Sequence, residues 1–159
     1  MDNNDIFFIN KAIELSQYGF ENGFGGPFGC VIVKNGEIVG EGFNRVTSSN
    51  DPTAHAEVVA IRDACKNLNT FQLDDCIVYT SCEPCPMCLG AIYWSRPAKV
   101  IFANTRKDAA EIYFDDDMIY HELNIADYSQ RKIPFLHMPS VAAKKVFENW
   151  ASLNNKIDY

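Results

Sequence analysis

Three cysteines recur at three-residue intervals in the segment SCEPCPMC, residues 81–88. This spacing allows a disulfide, a closed structural metal site or an open catalytic metal site. The chain lacks the basic start, the apolar stretch and the small-residue cleavage site of a secretory signal, so we expect a cytoplasmic protein. Because thiols stay reduced in the cytoplasm, the spacing favours a metal site over a disulfide.

A second group of candidate ligands lies upstream, in the segment TAHAEVVAI. His55 and Glu57 are two residues apart, about 200° around a helix, so they can converge only in a first helical turn. Downstream, Pro86 suits the first position of a helix, which makes Cys85 its cap and Cys88 a first-turn residue. The two helix N-termini would favour thiolates at one shared site. Sulfur and imidazole ligands together favour zinc.

The role of Cys82 distinguishes two kinds of zinc site. With Cys82 as a fourth ligand the tetrahedron is filled and the site is structural, whereas three protein ligands leave one position for water. We favour the open site, because a closed one gives Glu57 no role. Cys82 also ends a predicted strand, while Cys85 and Cys88 begin a helix. We interpret Cys82 as a small buried residue, and the same holds for the other cysteines, Cys30, Cys65 and Cys76.

An alternation of helices and strands has to position these residues. The first predicted helix begins at residues 3–5 and ends at GFGG, 23–26, with Ile6, Ile9, Ile13 and Phe20 at helical intervals. A hairpin over GCVIVKNGEIVGEG follows, with its turn at Asn35-Gly36, and then a polar loop, NRVTSSNDPT. The remaining predicted elements are, in chain order, a helix over 54–68, a strand CIVYTS, a helix PMCLGAIYWS, a strand KVIFAN, and helices near 116–124 and 141–154. A helical crossover makes the last two strands parallel, beside an antiparallel hairpin. We therefore expect one α/β domain over residues 1–159, a three-layer α/β/α sandwich around a mixed sheet.

Composition limits the partners of this domain. Hydrophobic residues make up 47% and charged residues 22% of the chain, as in ordinary folded proteins. The net charge of −7 and the scattered positions of the 14 Lys and Arg residues argue against nucleic acid, because both oppose contact with phosphate backbones. No apolar run approaches the ~20 residues that span a bilayer. We expect a small-molecule substrate, with neither nucleic acid nor membrane as a partner.

HAE followed by PCPMC resembles the zinc-dependent deaminases of nucleobases and nucleosides. The segments GGPFGCVIV, NDPTAHAEVVAI, TSCEPCPMCLGAIYW and DAAEIYFDDD are similar to those of bacterial guanine deaminases. The resemblance implies a cytidine deaminase-like fold and one catalytic Zn²⁺ per subunit, held by His55, Cys85 and Cys88. It assigns Glu57 as the proton shuttle. The implied activity is hydrolysis of guanine to xanthine and ammonia, a step of purine catabolism.

The resemblance also suggests how a purine would be held. Asn44 offers both a donor and an acceptor, and the rings of Phe28 and Trp94 are suited to stacking. Ala56 and the terminal Tyr159 complete the expected substrate contacts. Asp116 is the expected second catalytic carboxylate, with Asp115 as the alternative; it would accept guanine hydrogens or assist the departing amine.

Alternative substrates and roles remain open at this level. The zinc core does not specify the base, so guanosine, ammeline-like triazines, related aminopurines and cytosine are rivals. Transfer-RNA adenosine deaminases share HAE and PCxMCxGA but usually have a basic surface. A zinc-stabilised binding module is the non-enzymatic alternative, and Glu57 argues against it.

The C-terminal segment FENWASLNNKIDY carries Phe147, Trp150 and Leu153 at spacings of three, an apolar stripe that needs a covering surface. Packing on the chain's own core is the simplest interpretation. The resemblance instead implies a homodimer that exchanges its C-terminal segments, about residues 141–159.

Overall fold

Helices and strands alternate along the computed structural model, which describes residues 3–158. The elements are α1 (Asn3–Glu21), β1 (Gly29–Lys34), β2 (Glu37–Phe43), α2 (Val46–Ser49), α3 (Ala56–Leu68), β3 (Ile77–Cys82), α4 (Pro86–Ser95), β4 (Lys99–Asn104), α5 (Arg106–Glu111), α6 (Asp117–Leu123), a 3₁₀ turn (Tyr128–Gln130) and α7 (Val141–Ala151). The expected strands and longer helices are present. Two short helices, α2 in the expected polar loop and α5 after β4, were not predicted.

The four strands form one mixed sheet in the order β2-β1-β3-β4. β1 is antiparallel to both β2 and β3, and β3 is parallel to β4. The hairpin turns at Asn35 and Gly36, whose φ angles of 53° and 82° lie in the region that this dipeptide tolerates. The predicted mixed sheet is confirmed.

Alternating side chains of the strands divide the core between the two faces of the sheet. On one face Val31, Val33 and Tyr79 pack with Phe8 of α1. On the other face Cys30, Ile32 and Val78 pack with three alanines of α3, Ala56, Ala60 and Ala64. The sheet therefore lies between helical layers, which confirms the three-layer arrangement.

Helix α3 lies unusually close to β2. A Cβ added to Gly40 would stand 2.6 Å from the carbonyl oxygen of Ala60, and one added to Gly42 would stand 2.6 Å from the amide nitrogen of the same residue. Only glycine on the strand, facing alanine on the helix, permits this approach. The close packing fixes the start of α3 over the sheet, where His55 and Glu57 lie.

Helix α1 buries mainly small residues, although Ile9 also packs against the core. Its buried residues are Phe8, Ala12, Ser16 and Gly19. Ile6 is 52% exposed, and Ile13 and Phe20 are also exposed. The reason is steric, because a Cβ on Gly29 of β1 would stand only 2.5 Å from the amide nitrogen of Ser16, so small residues must face the strand.

The described residues divide into two compact units, one up to Asp116 and one from Asp117 onward. No residue in the described part of the second unit, 117–158, is buried. Phe147 is 80% exposed, and Trp150 and Leu153 are also exposed. The single domain over 1–159 and the exchange of its last segment stay predictions. Among the described residues, no helix combines the length and the apolar character needed to cross a bilayer.

Candidate metal centre and catalytic site

The starts of α3 and α4 supply the expected metal ligands. His55 is the N-cap of α3, with φ −70° and ψ 156°, so its backbone is extended just before the helix begins. Cys85 is the N-cap of α4 and is followed by Pro86 at the first helical position. Cys88 is buried in the first turn of that helix. The predicted arrangement of two helix starts is confirmed.

The distances among the three ligand atoms fit a tetrahedral zinc ion. Nδ1 of His55 lies 3.5 Å from Sγ of Cys85 and 3.6 Å from Sγ of Cys88. All three ligand atoms lie within 4.8 Å of one another. A zinc ion with Zn–S bonds of ~2.3 Å and Zn–N bonds of ~2.0–2.1 Å separates sulfur from nitrogen by about 3.5 Å. The side chains therefore have the chemistry and the spacing of a zinc site.

Hydrogen bonds within the cluster leave its two thiols with different proton affinities. The Cys88 thiol and His55 both stabilise the Cys85 thiolate and lower the pKa of Cys85 to about 4. The same bond to Cys85, together with burial, raises the pKa of Cys88. The hydrogen bond to Cys85 raises the pKa of His55. Zinc ligation requires thiolate and neutral imidazole, so metal binding at this cluster should depend on pH.

Glu57 lies in the first turn of α3 and is only 6% exposed. Its Oε1 accepts a hydrogen bond of 3.0 Å from the Thr80 hydroxyl, and its Oε2 lies 3.3 Å from the Cys88 sulfur. Burial raises the pKa of this carboxyl above its ordinary value. A carboxylate that lies beside a metal cluster and is shielded from solvent can exchange protons with a water molecule held there.

Cys82 lies outside the cluster, as expected of a residue that is not a ligand. Its Sγ donates to the carbonyl oxygen of Thr105, 3.6 Å away. Burial raises the pKa of its thiol to about 11, so Cys82 keeps its proton at neutral pH. Within the described chain, the group of potential ligands at this site comprises His55, Cys85 and Cys88 alone. Three protein ligands leave a fourth position open.

Asn44 is buried in the loop after β2, and its amide has a fixed orientation. Its Oδ1 accepts from the backbone N–H groups of Gly26 at 3.3 Å and Val46 at 3.2 Å. These two bonds use both lone pairs of that oxygen. The sequence suggested that Asn44 offers both a donor and an acceptor to a ligand, but the structure leaves only the Nδ2 donors for this purpose.

The expected stacking residues have different surroundings. Phe28 packs edge-to-face against Phe114, with ring centroids 5.0 Å apart. Phe114 was not singled out from the sequence, although it immediately precedes the aspartate run. Trp94 is 65% exposed near the C-terminal end of α4. Ala56 is fully buried, so its side chain belongs to the core and only its backbone is suited to a ligand contact. The substrate contacts of Phe28, Trp94 and Ala56 stay predictions.

Asp115 and Asp116, at the end of the first unit, have carboxylate oxygens within 4.8 Å of one another. Asp116 is half-buried and Asp115 is exposed, which makes Asp116 the more enclosed of the two expected carboxylates. Their assignment to catalysis stays a prediction. Tyr159 lies outside the described residues.

Thr80 is a functional candidate that sequence reasoning missed. It pairs with Cys30 across β1 and β3, and it lies two residues beyond Val78 on the α3 face of the sheet. A polar residue on the buried face of a strand is a detectable signal, because alternation alone would place an apolar residue there. The signal was hidden because threonine is also a common strand former.

Comparison with known proteins agrees with this site. Residues 2–104 match the family described as the cytidine and deoxycytidylate deaminase zinc-binding region. The guanine deaminase of Bacillus subtilis is 55% identical over 152 residues, which cover 96% of this chain and 97% of that protein. A crystal structure of the B. subtilis guanine deaminase superimposes with a TM-score of 0.94 at 53% identity, covering 100% of this chain and 99% of the other.

More distant relatives match a smaller part of the chain. A tRNA-specific adenosine deaminase of Aquifex aeolicus is 45% identical over 61% of this chain and 64% of its own length. The structure of NE0047 in complex with 2,6-diaminopurine is 32% identical, with a TM-score of 0.66, over 69% of this chain and 61% of that one. The family match, the fold and the zinc-binding geometry together establish that this chain belongs to the zinc-dependent cytidine and deoxycytidylate deaminase family.

Proposed function

We propose that this protein catalyses the zinc-dependent hydrolysis of guanine to xanthine and ammonia. The observation that carries the proposal is the position of Glu57, whose buried carboxylate lies beside a His-Cys-Cys cluster with zinc spacing. A purely structural zinc site has no need of such a carboxylate. Similarity over 96% of the chain to a guanine deaminase supports guanine as the base.

Different residues would bind the metal and transfer the protons. His55, Cys85 and Cys88 would hold Zn²⁺, which when bound lowers the pKa of a water molecule to roughly 7 and so supplies hydroxide at neutral pH. Glu57 takes the water proton and delivers it to the ring nitrogen beside C2 of guanine. Oxygen becomes bonded to C2, and Glu57 passes the second proton to the amine, which leaves as ammonia. Guanine and water are thereby converted to xanthine and ammonia.

The fixed orientation of Asn44 supports a role in recognising an acceptor edge of the base. Its Oδ1 is engaged by two backbone donors, so its Nδ2 would donate to O6 or N7 of guanine. The amino and N1 hydrogens of guanine then need acceptors elsewhere. The carboxylate of Asp116 would accept them, with Asp115 as the alternative. Phe28 and Trp94 would cover the ring, with contacts from Ala56 and Tyr159.

Incubating the zinc-loaded protein with guanine, guanosine, adenine, cytosine and ammeline, and measuring ammonia, tests the proposed substrate. We expect guanine to give the highest kcat/KM. Glu57→Gln should retain zinc and lose activity by roughly 10²–10⁴-fold, because the amide cannot carry the proton. Higher turnover of another base would replace guanine as substrate, and near-normal turnover by Glu57→Gln would refute its assignment.

A related 2-aminopurine is the second candidate substrate. The relative NE0047 was solved in complex with 2,6-diaminopurine, a base that also carries an amino group at C2. Adding 2,6-diaminopurine to the same assay distinguishes a site selective for guanine from one that accepts any 2-aminopurine. Transfer-RNA adenosine is disfavoured, because the chain carries a net charge of −7 and the tRNA-specific relative covers only 61% of it.

The protein further acts, in our proposal, as a cytoplasmic homodimer whose C-terminal segments, about residues 141–159, are exchanged. The exposure of Phe147 and Trp150 on α7, and of Leu153 just after it, supports this assembly, since apolar side chains that lie close together are normally covered. The six free cysteines fit a reducing compartment.

Mixed dimers test the exchange directly. One partner would be the full-length Glu57→Gln chain, and the other a chain ending at Leu153 that keeps Glu57. If tails are exchanged, the intact tail of the first chain completes the site of the second, so the mixed dimer is active while each parent is nearly inactive. Inactive mixed dimers would mean that each tail serves its own chain, and full activity of the truncated chain alone would remove the tail from the site.

A further inference from the structure

The carboxylate of Glu57 has two side-chain neighbours in hydrogen-bonding range, Thr80 at Oε1 and Cys88 at Oε2. The bond from Thr80 is the shorter of the two, at 3.0 Å against 3.3 Å. Cys88 belongs to the metal cluster, whereas Thr80 lies in β3 and is not part of that cluster. Thr80 is therefore the neighbour of Glu57 that is available to hold the carboxylate without also serving the metal.

We propose that Thr80 is a positioning residue for the deamination reaction. Its hydroxyl fixes Oε1 of Glu57, so that Oε2 stays directed toward the metal cluster, where water is activated. This inference rests on the proposed role of Glu57 in proton transfer. Thr80 itself is only 1% exposed and does not need to touch the substrate.

The sheet gives Thr80 the rigidity that this role requires. Thr80 lies in β3, hydrogen-bonded between β1 and β4, where its register partners are Cys30 and Phe102. A β-branched side chain has few rotamers, so the position of its hydroxyl is well defined. The Thr80 hydroxyl has a second possible acceptor, the carbonyl oxygen of Gly29, which lies 3.4 Å away, whereas Oε1 of Glu57 lies 3.0 Å away. The shorter bond to a carboxylate is the stronger one.

Thr80 adds to the hydrogen bond that the Glu57 carboxylate accepts from its own backbone N–H, and the two bonds together restrict rotation of its oxygens. The terminal torsion of a glutamate side chain is broad and roughly two-fold, so a carboxylate held at one end only can rotate. Rotation would move Oε2 away from the water from which it must take a proton. A misplacement of about 1 Å can cost roughly 10²-fold in rate.

Paired substitutions at position 80 isolate the hydroxyl. Thr80→Val keeps the shape and removes the hydroxyl, while Thr80→Ser keeps the hydroxyl and removes the methyl group. We expect Thr80→Val to lower kcat by about 10- to 100-fold, with KM and zinc content nearly unchanged. Thr80→Ser should restore most of the rate. Thr80→Ala, compared with Thr80→Ser, provides the same comparison without a bulky group if the valine variant does not fold.

A matched control and a double variant separate positioning from general damage. Ser81→Ala removes the neighbouring buried hydroxyl, which accepts from the N–H of Gly29 and does not contact Glu57, so kcat should stay close to wild type. In the Glu57→Gln background, Thr80→Val should cause no further loss, because Thr80 acts through that carboxylate.

The outcomes distinguish this inference from the proposed function. If Glu57→Gln is inactive on guanine while Thr80→Val and Thr80→Ala retain normal kcat, the positioning role is wrong and the proposed function stands. An additional loss from Thr80→Val in the Glu57→Gln background, or a serine variant as impaired as the alanine variant, would also overturn it. If Glu57→Gln itself remains active, the proposed role of Glu57 fails first.

Discussion

At the residue scale, the three cysteines of SCEPCPMC have three different environments. Cys85 is stabilised as a thiolate by the Cys88 thiol and His55, and its pKa falls to about 4. The bond to Cys85 and burial raise the pKa of Cys88. Cys82 donates to a backbone carbonyl and has a pKa of about 11. Equal spacing in sequence therefore places two cysteines in the candidate metal cluster and one in the core, because Cys82 ends a strand and the other two begin a helix.

Cysteine substitutions should follow this division. Cys85→Ser and Cys88→Ser should each lose zinc and activity, because serine is a much weaker zinc ligand than thiolate. Cys82→Ala should keep one zinc per chain and most of the activity. Metal analysis of the three purified variants measures the difference directly. Loss of zinc from Cys82→Ala at normal stability would identify Cys82 as a ligand and the site as closed.

Gly25 controls the orientation of Asn44 by leaving room for it. A Cβ at Gly25 would overlap Oδ1 of Asn44 and stand 2.7 Å from its backbone oxygen. Gly25→Ala should therefore displace the amide and lower kcat/KM for guanine by roughly 3- to 10-fold, mainly through KM, which is the cost of about one hydrogen bond.

Gly90→Ala is the control for this substitution, because a Cβ there meets nothing within 4 Å. It lies inside a helix, so alanine should raise stability slightly and leave the kinetic constants unchanged. If Gly25→Ala and Gly90→Ala changed the kinetic constants equally, Gly25 would have no specific role in substrate recognition.

At the scale of elements, the site depends on how closely α3 approaches β2. The helix presents Ala56, Ala60 and Ala64 to a strand that carries Gly40 and Gly42. Because both sides are small, the first turn of α3 lies directly over the sheet, and the Glu57 carboxylate comes within reach of Thr80.

Adding a methyl group to β2 should separate these elements. Gly42→Ala would push against the start of α3 at Ala56 and Ala60, whereas Gly40→Ala would push against its middle at Ala60 and Ala64. Both should destabilise the fold by about 1–3 kcal/mol, as overpacked cores do. Gly42→Ala should also release zinc more readily in a chelator titration, because it displaces the turn that carries His55. Identical zinc retention by two equally destabilised variants would contradict this local effect.

Sequence patterns predicted the elements better than their contacts. The bounds of α4 and β4 agree with the structure, because Pro86 starts the helix and an unbroken apolar run forms the strand. Helix α5 was missed because it is six residues long and depends on a capping box between Thr105 and Asp108 rather than on apolar periodicity. The apolar spacing in α1 did not indicate its buried small residues, which close backbone approach to β1 selects.

For the candidate site too, local features could be predicted from the sequence and contacts between distant residues could not. The clustering of His55, Cys85 and Cys88 was predictable, because their spacing reflects helix starts that the sequence encodes locally. The contact from Thr80 to Glu57 and the orientation of Asn44 were not predictable, since each depends on residues brought together by the tertiary fold, 23 positions apart in the first case and 18 in the second.

At the scale of the whole molecule, the metal joins two helices that are distant in sequence. His55 and Cys85 are 30 residues apart, so a bound ion closes a loop that contains α3 and β3. An ion that binds only the folded chain stabilises it by about 4 kcal/mol at a concentration 1,000 times its Kd.

Chelation should therefore lower the thermal stability of the protein. For a domain of this size, about 4 kcal/mol corresponds to roughly 8–16 °C in Tm. Differential scanning calorimetry with and without a chelator measures the shift. Cys85→Ser supplies the control, because a chain that cannot bind zinc should show no change. An equal shift in that variant would mean that the chelator acts elsewhere.

All three metal-binding side chains and the neighbouring glutamate occur before position 89, well ahead of the exposed apolar stretch that ends the molecule. None of the four side chains at the metal cluster therefore lies beyond position 88. A truncated chain that binds zinc but does not turn over guanine would have lost residues that contact or enclose the base. Metal content and turnover therefore report separately on the metal cluster and on the residues that contact the base.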